Sequence, residues 1–246
     1  MEPIFRQTFL INDSAVDRYG RLKPSMILFY AQEVAGQHCN LLAVDYDTLA
    51  KKRMFWAVIR HKVQVTRLPH RDETITVETW PMPTTRAAFP RSVVAYDADG
   101  NECFRSISLW VLMDLDSRNM ILPGKSGITV AGTLRGTELT TPASLHPAVL
   151  DNSVQRSVCF TDLDRNGHMN NTRYLDWIAD LLPSAFHEAH PVREFTVCYL
   201  SETKETQTLK LDWALSDGPV LQVHAHREKT DVPGSQERVF SALVQF

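Results

Sequence analysis

At 246 residues the chain is long for one compact domain and suits two of about 120 residues each. Apolar residues make up 43% and charged residues 22%, an ordinary globular balance that excludes bulk disorder. A net charge of −3, from 26 basic and 29 acidic residues, excludes the strong basic excess of a general nucleic-acid binder.

No run approaches the roughly 18 apolar residues of a membrane span. The start, Met1-Glu2-Pro3, has neither the basic stretch nor the apolar block of a signal peptide. Cys39, Cys103, Cys159 and Cys198 form no CxxC pair and are expected to be reduced thiols packed in a core, which favours a cytoplasmic setting. Basic residues gather at Lys51, Lys52 and Arg53, and again at Arg60, His61, Lys62, Arg67 and Arg71. Each group reads as a solvated face, with docking of an acidic partner as the alternative.

In chain order, Phe5 to Ile11 alternates as a strand does. The loop Asp17-Arg18-Tyr19-Gly20-Arg21 follows, then a helix with Ser25 as its expected N-cap and Ile27, Tyr30, Ala31, Val34 and His38 on one face. Val58 to Thr66 alternates, Pro69-His70-Arg71-Asp72 turns, and Thr74 to Trp80 alternates again. Arg91 to Asp114 reads as a hairpin turning at Asp97-Ala98-Asp99-Gly100. The Gly-, Thr- and Pro-rich stretch around Pro123 to Ser153 shows little periodicity and reads as a linker. In the second half Asn170 or Asn171 is the expected N-cap of a helix striped by Tyr174, Ile178 and Leu181, and Pro183 is its stop. Phe195 to Tyr199 alternates, Ser201 to Gln207 is polar, and Thr208 to Leu215 reads as a strand. Val220 to Phe246 is a hairpin around Asp231-Val232-Pro233-Gly234.

The two halves therefore repeat one order of elements, and Asp164-Arg165-Asn166-Gly167-His168 repeats Asp17-Arg18-Tyr19-Gly20-Arg21. The expected fold is α+β, with each half a long helix wrapped by a curved antiparallel sheet. The expected division is residues 1–125, a linker at 126–150, and residues 151–246. The loops differ where chemistry would live. Tyr19 and Arg21 in the first copy become Asn166 and His168 in the second, so the first looks like a scaffold without reactive groups. Thr161 to Asn171 packs carboxylates, carboxamides and an imidazole just before a helix start, where free amides and the helix dipole can hold developing negative charge. An imidazole there can transfer protons near neutral pH.

Other readings are weaker. A calcium loop starting at Asp162 needs a bidentate Glu at its twelfth position, where Arg173 stands. Asn170 and Asn171 are explained equally well as turn and cap residues. There is no GxSxG elbow. Cys198 lies on an expected strand and reads as a small core residue. His224 and His226 share a strand face without a further ligand set, so no metal is expected.

At these residues the sequence resembles the acyl-[acyl carrier protein] thioesterase family, the double-hotdog enzymes of bacteria and plant plastids. Asp164, Asn166, His168, Asn170, Asn171 and Tyr174 match D-x-N-x-H-x-N-N-x-x-Y, and the likeness continues through Trp177. Tyr199-Leu200-Ser201-Glu202-Thr203 is similar to the family's Y-R-R-E-C segment, whose Glu is catalytic. In the first half Trp56 with Arg60, Thr79-Trp80-Pro81, Arg91, the turn at Asp97 to Gly100, and Trp110 to Asp114 also resemble it. Two departures stand out: the plant Cys is Thr203 here, and the basic pair before the Glu is Leu200-Ser201.

The resemblance implies a tandem hotdog thioesterase of fatty acid biosynthesis and lipid metabolism, without a cofactor. It would hydrolyse acyl carrier protein thioesters, with the acidic carrier protein as partner and a homodimer as an open expectation. It implies that Glu202 activates water or attacks directly, that His168 orients the carboxylate or water, that Asn166 positions substrate, and that Asp164 orients both from behind. Backbone amides near Asn170 and Asn171 would polarise the thioester carbonyl. Met26, Met54 and Trp56 are candidates for the wall of an acyl-tail site, and each is equally readable as plain core. Rival readings are an acyl-CoA thioesterase, an acyl-thioester hydratase or dehydratase, and a non-enzymatic acyl-thioester sensor.

Overall fold

Side-chain alternation produces a strand at once. Strand β1, Phe5–Leu10, half-buries every second residue and exposes the rest. The computed structural model describes residues 3–229 and 234–246, and contacts divide the chain into two units, Met1–Pro142 and Ala143–Phe246.

In the first unit helix α1, Pro24–Leu41, follows β1. Its cap is not the expected one. Lys23 is the N-cap and Pro24 takes the first helical position, where a missing N–H is no loss and φ is already helical. Ser25 lies inside the first turn and is buried. Ile27, Leu28, Tyr30, Ala31, Val34, Ala35 and His38 bury one face of the helix, which packs on β1 and on β3. A short helix α2, Tyr46–Lys51, is capped by Asp45, whose carboxylate accepts from Thr48 N. Then come β2 (Met54–Val65), β3 (Thr74–Pro81), β4 (Phe89–Tyr96), β5 (Glu102–Asp114), the two-residue β6 (Met120–Ile121) and the turn of helix α3 (Pro123–Ser126). The pairing is antiparallel throughout, in the order β1-β3-β4-β5-β2, with β6 beside β5. Trp80, Phe104, Ile27, Leu28, Ile75 and Ile107 are fully buried. Each is worth about 1.5–3 kcal/mol of burial.

The second unit repeats this plan. Its strands are β7 (Asn152–Ser157), β8 (Glu194–Tyr199), β9 (Thr208–Ser216), β10 (Val220–Glu228) and β11 (Gln236–Gln245). Their order is β7-β9-β10-β11-β8, so each strand takes the place of its first-unit counterpart. Residues 231–233 of the expected β10–β11 turn lie outside the described residues. The helix here is shorter. Helix α4 runs Arg173–Ala179, the chain tightens through Leu181 and Leu182, and Pro183 caps a second short helix α5, Ser184–Ala189. The apolar stripe of Tyr174 and Ile178 is helical, whereas Leu181 falls in the turn that Pro183 enforces. Thr172 is the N-cap, and Asn170 instead accepts from Thr172 N at 3.0 Å in a turn before the helix.

Residues 127–151 hold no helix or strand. The part up to Pro142 belongs with the first unit and lies along its sheet. Ile128 joins a cluster with Val44, Leu49, Met54, Phe89 and Leu112. Glu138 accepts from Trp80 Nε1 at 3.1 Å, and Arg135 reaches Glu78 at 2.7 Å. Gly132 passes so close to Met82 and Pro83 that a Cβ there would sit 2.3 Å from Pro83 N.

Of the solvated face expected from Arg60 to Arg71, Arg71 is exposed and Arg60, Lys62 and Arg67 are half-buried. His61 is buried, Arg67 pairs with Glu73 and Asp97, and Arg71 pairs with Asp13 and Asp72. All four cysteines are free thiols, but Cys159 is exposed rather than packed in a core, because it opens a 3₁₀ turn at the surface.

Two buried polar residues in this architecture generate predictions. In the second unit the Tyr174 hydroxyl donates to Thr203 Oγ1 at 3.1 Å, and Thr203 is fully buried. Burial pushes the Tyr174 phenol up to about 12, so it stays a protonated donor. Replacing Thr203 by Val strands that donor and should cost about 1–3 kcal/mol, read as a lower denaturation midpoint. In the first unit, burial pushes the His61 imidazole down to about 3, against about 6.5 when unfolded. The unfolded chain then binds the extra proton, so stability present above pH 6.5 drains away as pH falls toward 3. A His61→Leu variant should lose less stability between pH 7 and pH 4 than the parent, and equal slopes in denaturant titrations would contradict this.

Candidate active site

The loop before α4 is shaped by one carboxylate and one glycine. Asp164 Oδ1 accepts from Asn166 N at 2.8 Å and from His168 N at 3.2 Å, and Oδ2 lies 3.4 Å from Asn166 Nδ2. Asp164 N donates to His168 O at 2.8 Å, which closes the turn. Gly167 sits at φ +74°, a conformation that a side chain would strain. The loop thus presents Asn166 to solvent and leaves His168 half-buried.

A second loop, from Leu200 to Gln207 between β8 and β9, meets the first. Met169 N donates to Thr203 O at 2.7 Å, and His168 bridges to Lys204 as an isolated antiparallel pair. This contact brings His168 Nε2 to 3.4 Å from Glu202 Oε2. The imidazole side chain is 18% exposed and the carboxylate 45%, so the pair lies at the surface with one side open. A carboxylate with a neighbouring imidazole can accept a proton from water or hold an attacking water in place.

Of the residues expected at the site, Asp164, Asn166, His168 and Glu202 come together. Asp164 acts on Asn166 and His168 through their backbone amides and on Asn166 also through its side chain. Asn170 N is spent on Asp162 O at 2.8 Å, Thr172 N on the Asn170 side chain and Arg173 N on Asn170 O. Those three amides are therefore not the donors that a thioester oxygen would need, contrary to the expectation for the helix start. Asn171 O accepts from the Tyr199 hydroxyl at 3.0 Å. In the first unit Met54 is buried and Trp56 packs on Phe89, with its indole N–H on Val44 O at 2.8 Å. Met26 is half-buried in the first turns of α1. Cys198 is buried, and Thr203 is tied to Tyr174, so neither presents a nucleophile. Among the described residues no group of three His, Cys, Asp or Glu could hold a metal ion.

One residue at this site was missed from sequence. Arg227 on β10 donates to Glu202 O at 2.6 Å, to Gln207 Oε1 at 2.8 Å and to Ser201 Oγ at 2.7 Å, and it pairs with Glu237 on β11. No motif marks it.

The first unit builds the same frame without the pair. Asp17 Oδ1 accepts from Tyr19 N at 2.8 Å and Arg21 N at 3.0 Å, Gly20 sits at φ +75°, and Leu22 N donates to Pro69 O at 2.8 Å. Pro69 therefore stands where Thr203 stands, and Leu68 where Glu202 stands. Arg21, in the place of His168, folds back onto Asp17.

Residues 2–122 match the profile of the acyl-ACP thioesterase N-terminal domain, and residues 148–238 that of the C-terminal domain. The chain is 25% identical over 229 residues to a palmitoyl-acyl carrier protein thioesterase of Gossypium hirsutum, covering 87% of this chain and 55% of that protein. It is 26% identical over 231 residues to a dodecanoyl-[acyl-carrier-protein] hydrolase of Cinnamomum camphora, covering 87% of this chain and 60% of that one. It thus spans little more than half the length of these curated relatives. In fold it is similar to an acyl-ACP thioesterase from Bacteroides thetaiotaomicron, with a TM-score of 0.88 at 23% identity over 99% of this chain and 98% of that one. It is also similar to the 12:0-ACP thioesterase from Umbellularia californica, with a TM-score of 0.83 at 23% identity over 100% and 97% of the two chains. The chain belongs to the acyl-ACP thioesterase family and has its double-hotdog fold.

Proposed function

We propose that this protein hydrolyses the thioester of an acyl chain carried by acyl carrier protein, releasing a free fatty acid and the carrier's thiol. The observation that carries the reading is the 3.4 Å approach of His168 Nε2 to Glu202 Oε2, in the unit that matches the family's C-terminal domain. The domain division goes with it: residues 1–125 as the hotdog without reactive groups, 126–150 as the connection, and 151–246 as the reactive hotdog.

The chemistry needs a water made nucleophilic beside a thioester carbonyl. Glu202 is half-open to solvent and can take the water's proton as oxygen adds to the carbonyl carbon. The tetrahedral intermediate then collapses, the C–S bond breaks, and the proton passes to the departing thiolate. Direct attack by the Glu202 carboxylate, giving an anhydride that water then splits, uses the same geometry. His168 orients the carboxylate, and Asn166 offers an exposed amide to the substrate from a loop that Asp164 holds rigid. Asn170 and Asn171 line the approach to this loop. Met26, Met54 and Trp56 of the first unit are the proposed wall for the acyl tail. The substrate's carrier is the acidic acyl carrier protein, and the four free thiols fit a reducing cytoplasm.

Glu202→Ala and Glu202→Gln should each lower kcat roughly 10²- to 10⁴-fold on acyl carrier protein thioesters while thermal unfolding stays near that of the parent. His168→Ala should lower it by about 10²-fold. A free-thiol assay across acyl carrier protein thioesters of graded chain length, run beside the matching acyl-CoA series, reads both. Full activity in Glu202→Ala would remove Glu202 from the mechanism. Turnover of CoA esters alone would reassign the substrate, and loss of thioester without free thiol would reassign the reaction.

A further inference from the structure

The loop that carries Glu202 is polar and surface-exposed over much of its length, yet the Glu202 carboxylate must be held against His168. Glutamate has several rotatable bonds, so the direction of its side chain depends first on how firmly its own backbone is fixed. Part of that fixing comes from within the unit's core. Leu200 N and Ser201 N donate to Val239 O at 2.8 and 3.1 Å, and Thr203 is pinned by Met169 and Tyr174. None of these bonds reaches the peptide group that follows Glu202.

Arg227 reaches it. Its guanidinium is 17% exposed and is set against Glu237, directly opposite it on the neighbouring strand. From there it donates to the Glu202 carbonyl, to Ser201 at the start of the loop and to Gln207 at its end. Gln207 in turn accepts from Lys204 N at 2.9 Å, so a single planar group ties both stems of the loop and its middle. Thr206 stands at φ +67° within this stretch, a conformation that needs support from its surroundings.

The first unit shows that closing the loop does not in itself require an arginine at this place. There Arg67 belongs to the loop, occupies the position of Ser201, and closes it by bonds of 3.1 and 2.7 Å to Glu73, the counterpart of Gln207. It continues to Asp97 at 3.0 Å. In the second unit the guanidinium comes from β10 instead, and its added contact is the carbonyl of the residue that bears the carboxylate.

We propose that Arg227 is a positioning residue for thioester hydrolysis: by holding the Glu202 carbonyl while anchored on Glu237, it aims the Glu202 carboxylate at His168. The inference rests on the reading of Glu202 as the group that activates water or attacks. Misplacement of a reacting group by about 1 Å can cost about 10²-fold in rate. Lys at this position supplies a point charge without the planar fork, so it can satisfy one of the three acceptors but not all of them together.

The test compares Arg227→Gln, Arg227→Lys, Glu202→Gln and the Arg227→Gln/Glu202→Gln double variant. The kcat and KM on one acyl carrier protein thioester are measured per folded molecule, with melting curves to confirm folding at the assay temperature. Arg227→Gln should lower kcat roughly 10- to 100-fold with KM within about twofold, and Arg227→Lys should recover only part of the loss. In the double variant the Arg227 change should add almost nothing to the loss from Glu202→Gln, since it acts through that side chain. The proposal is overturned if folded Arg227→Gln keeps kcat within about twofold of the parent. It is equally overturned if the two losses multiply in the double variant, which would be the mark of a structural role independent of Glu202. Should Glu202→Gln itself turn over normally, the reading of Glu202 fails and the proposal with it. A dead Glu202→Gln beside an active Arg227→Gln removes the positioning role alone.

Discussion

The backbone bond from Met169 N to Thr203 O, at 2.7 Å, is the contact on which the approach of His168 to Glu202 depends. It joins two loops that are far apart in sequence, one before helix α4 and one between β8 and β9. Either loop alone is a polar surface turn. Zipped together they set an imidazole beside a carboxylate, and every other feature of the site stiffens one loop or the other. Asp164 and Gly167 define the first, while Thr203, Tyr174 and Arg227 define the second.

The same zip closes in the first unit through Leu22 N and Pro69 O. The frame is therefore separable from the chemistry. Asp17 and Gly20 hold their turn as Asp164 and Gly167 do, and the strand order matches position for position. What differs is the set of side chains that the frame displays: Tyr19, Arg21 and Leu68 in one copy, Asn166, His168 and Glu202 in the other. Arg21 turns back onto Asp17, and leucine has no proton to exchange. One loop frame thus displays different chemical groups in the two copies.

Burial divides the polar residues of the molecule into two kinds. Thr203, His61 and Tyr174 are inside, and their worth lies in fixed partners and fixed protonation, because a stranded polar atom in a low-dielectric core is costly. His168 and Glu202 keep access to solvent, as proton exchange with water requires. Arg227 falls between them, with a mostly covered guanidinium whose neighbours are Glu237 on one side and the loop of Glu202 on the other.

Much of this was legible in the sequence, and the part that was shares one cause. Strands and helices announce themselves by the period of their apolar residues, so Phe5 to Ile11, Val58 to Thr66, Phe195 to Tyr199 and the stripe of Tyr174 and Ile178 stood out, and Pro183 marked a break. The repeated D-R-x-G loops needed only side chains acting on their own backbone within four residues, which makes them local as well. The tertiary structure decided whatever depends on the partner met across the fold. Lys23 and Thr172 became the caps in place of Ser25 and of Asn170 or Asn171, Cys159 came to the surface, and Arg67 and Arg71 of the basic run entered ion pairs. Arg227 lay in an unremarkable strand until pairing with β11 carried it to Glu202. Period and turn chemistry are written over a few neighbouring residues, whereas the distance between two side chains on separate loops is fixed only when the sheet has set its register.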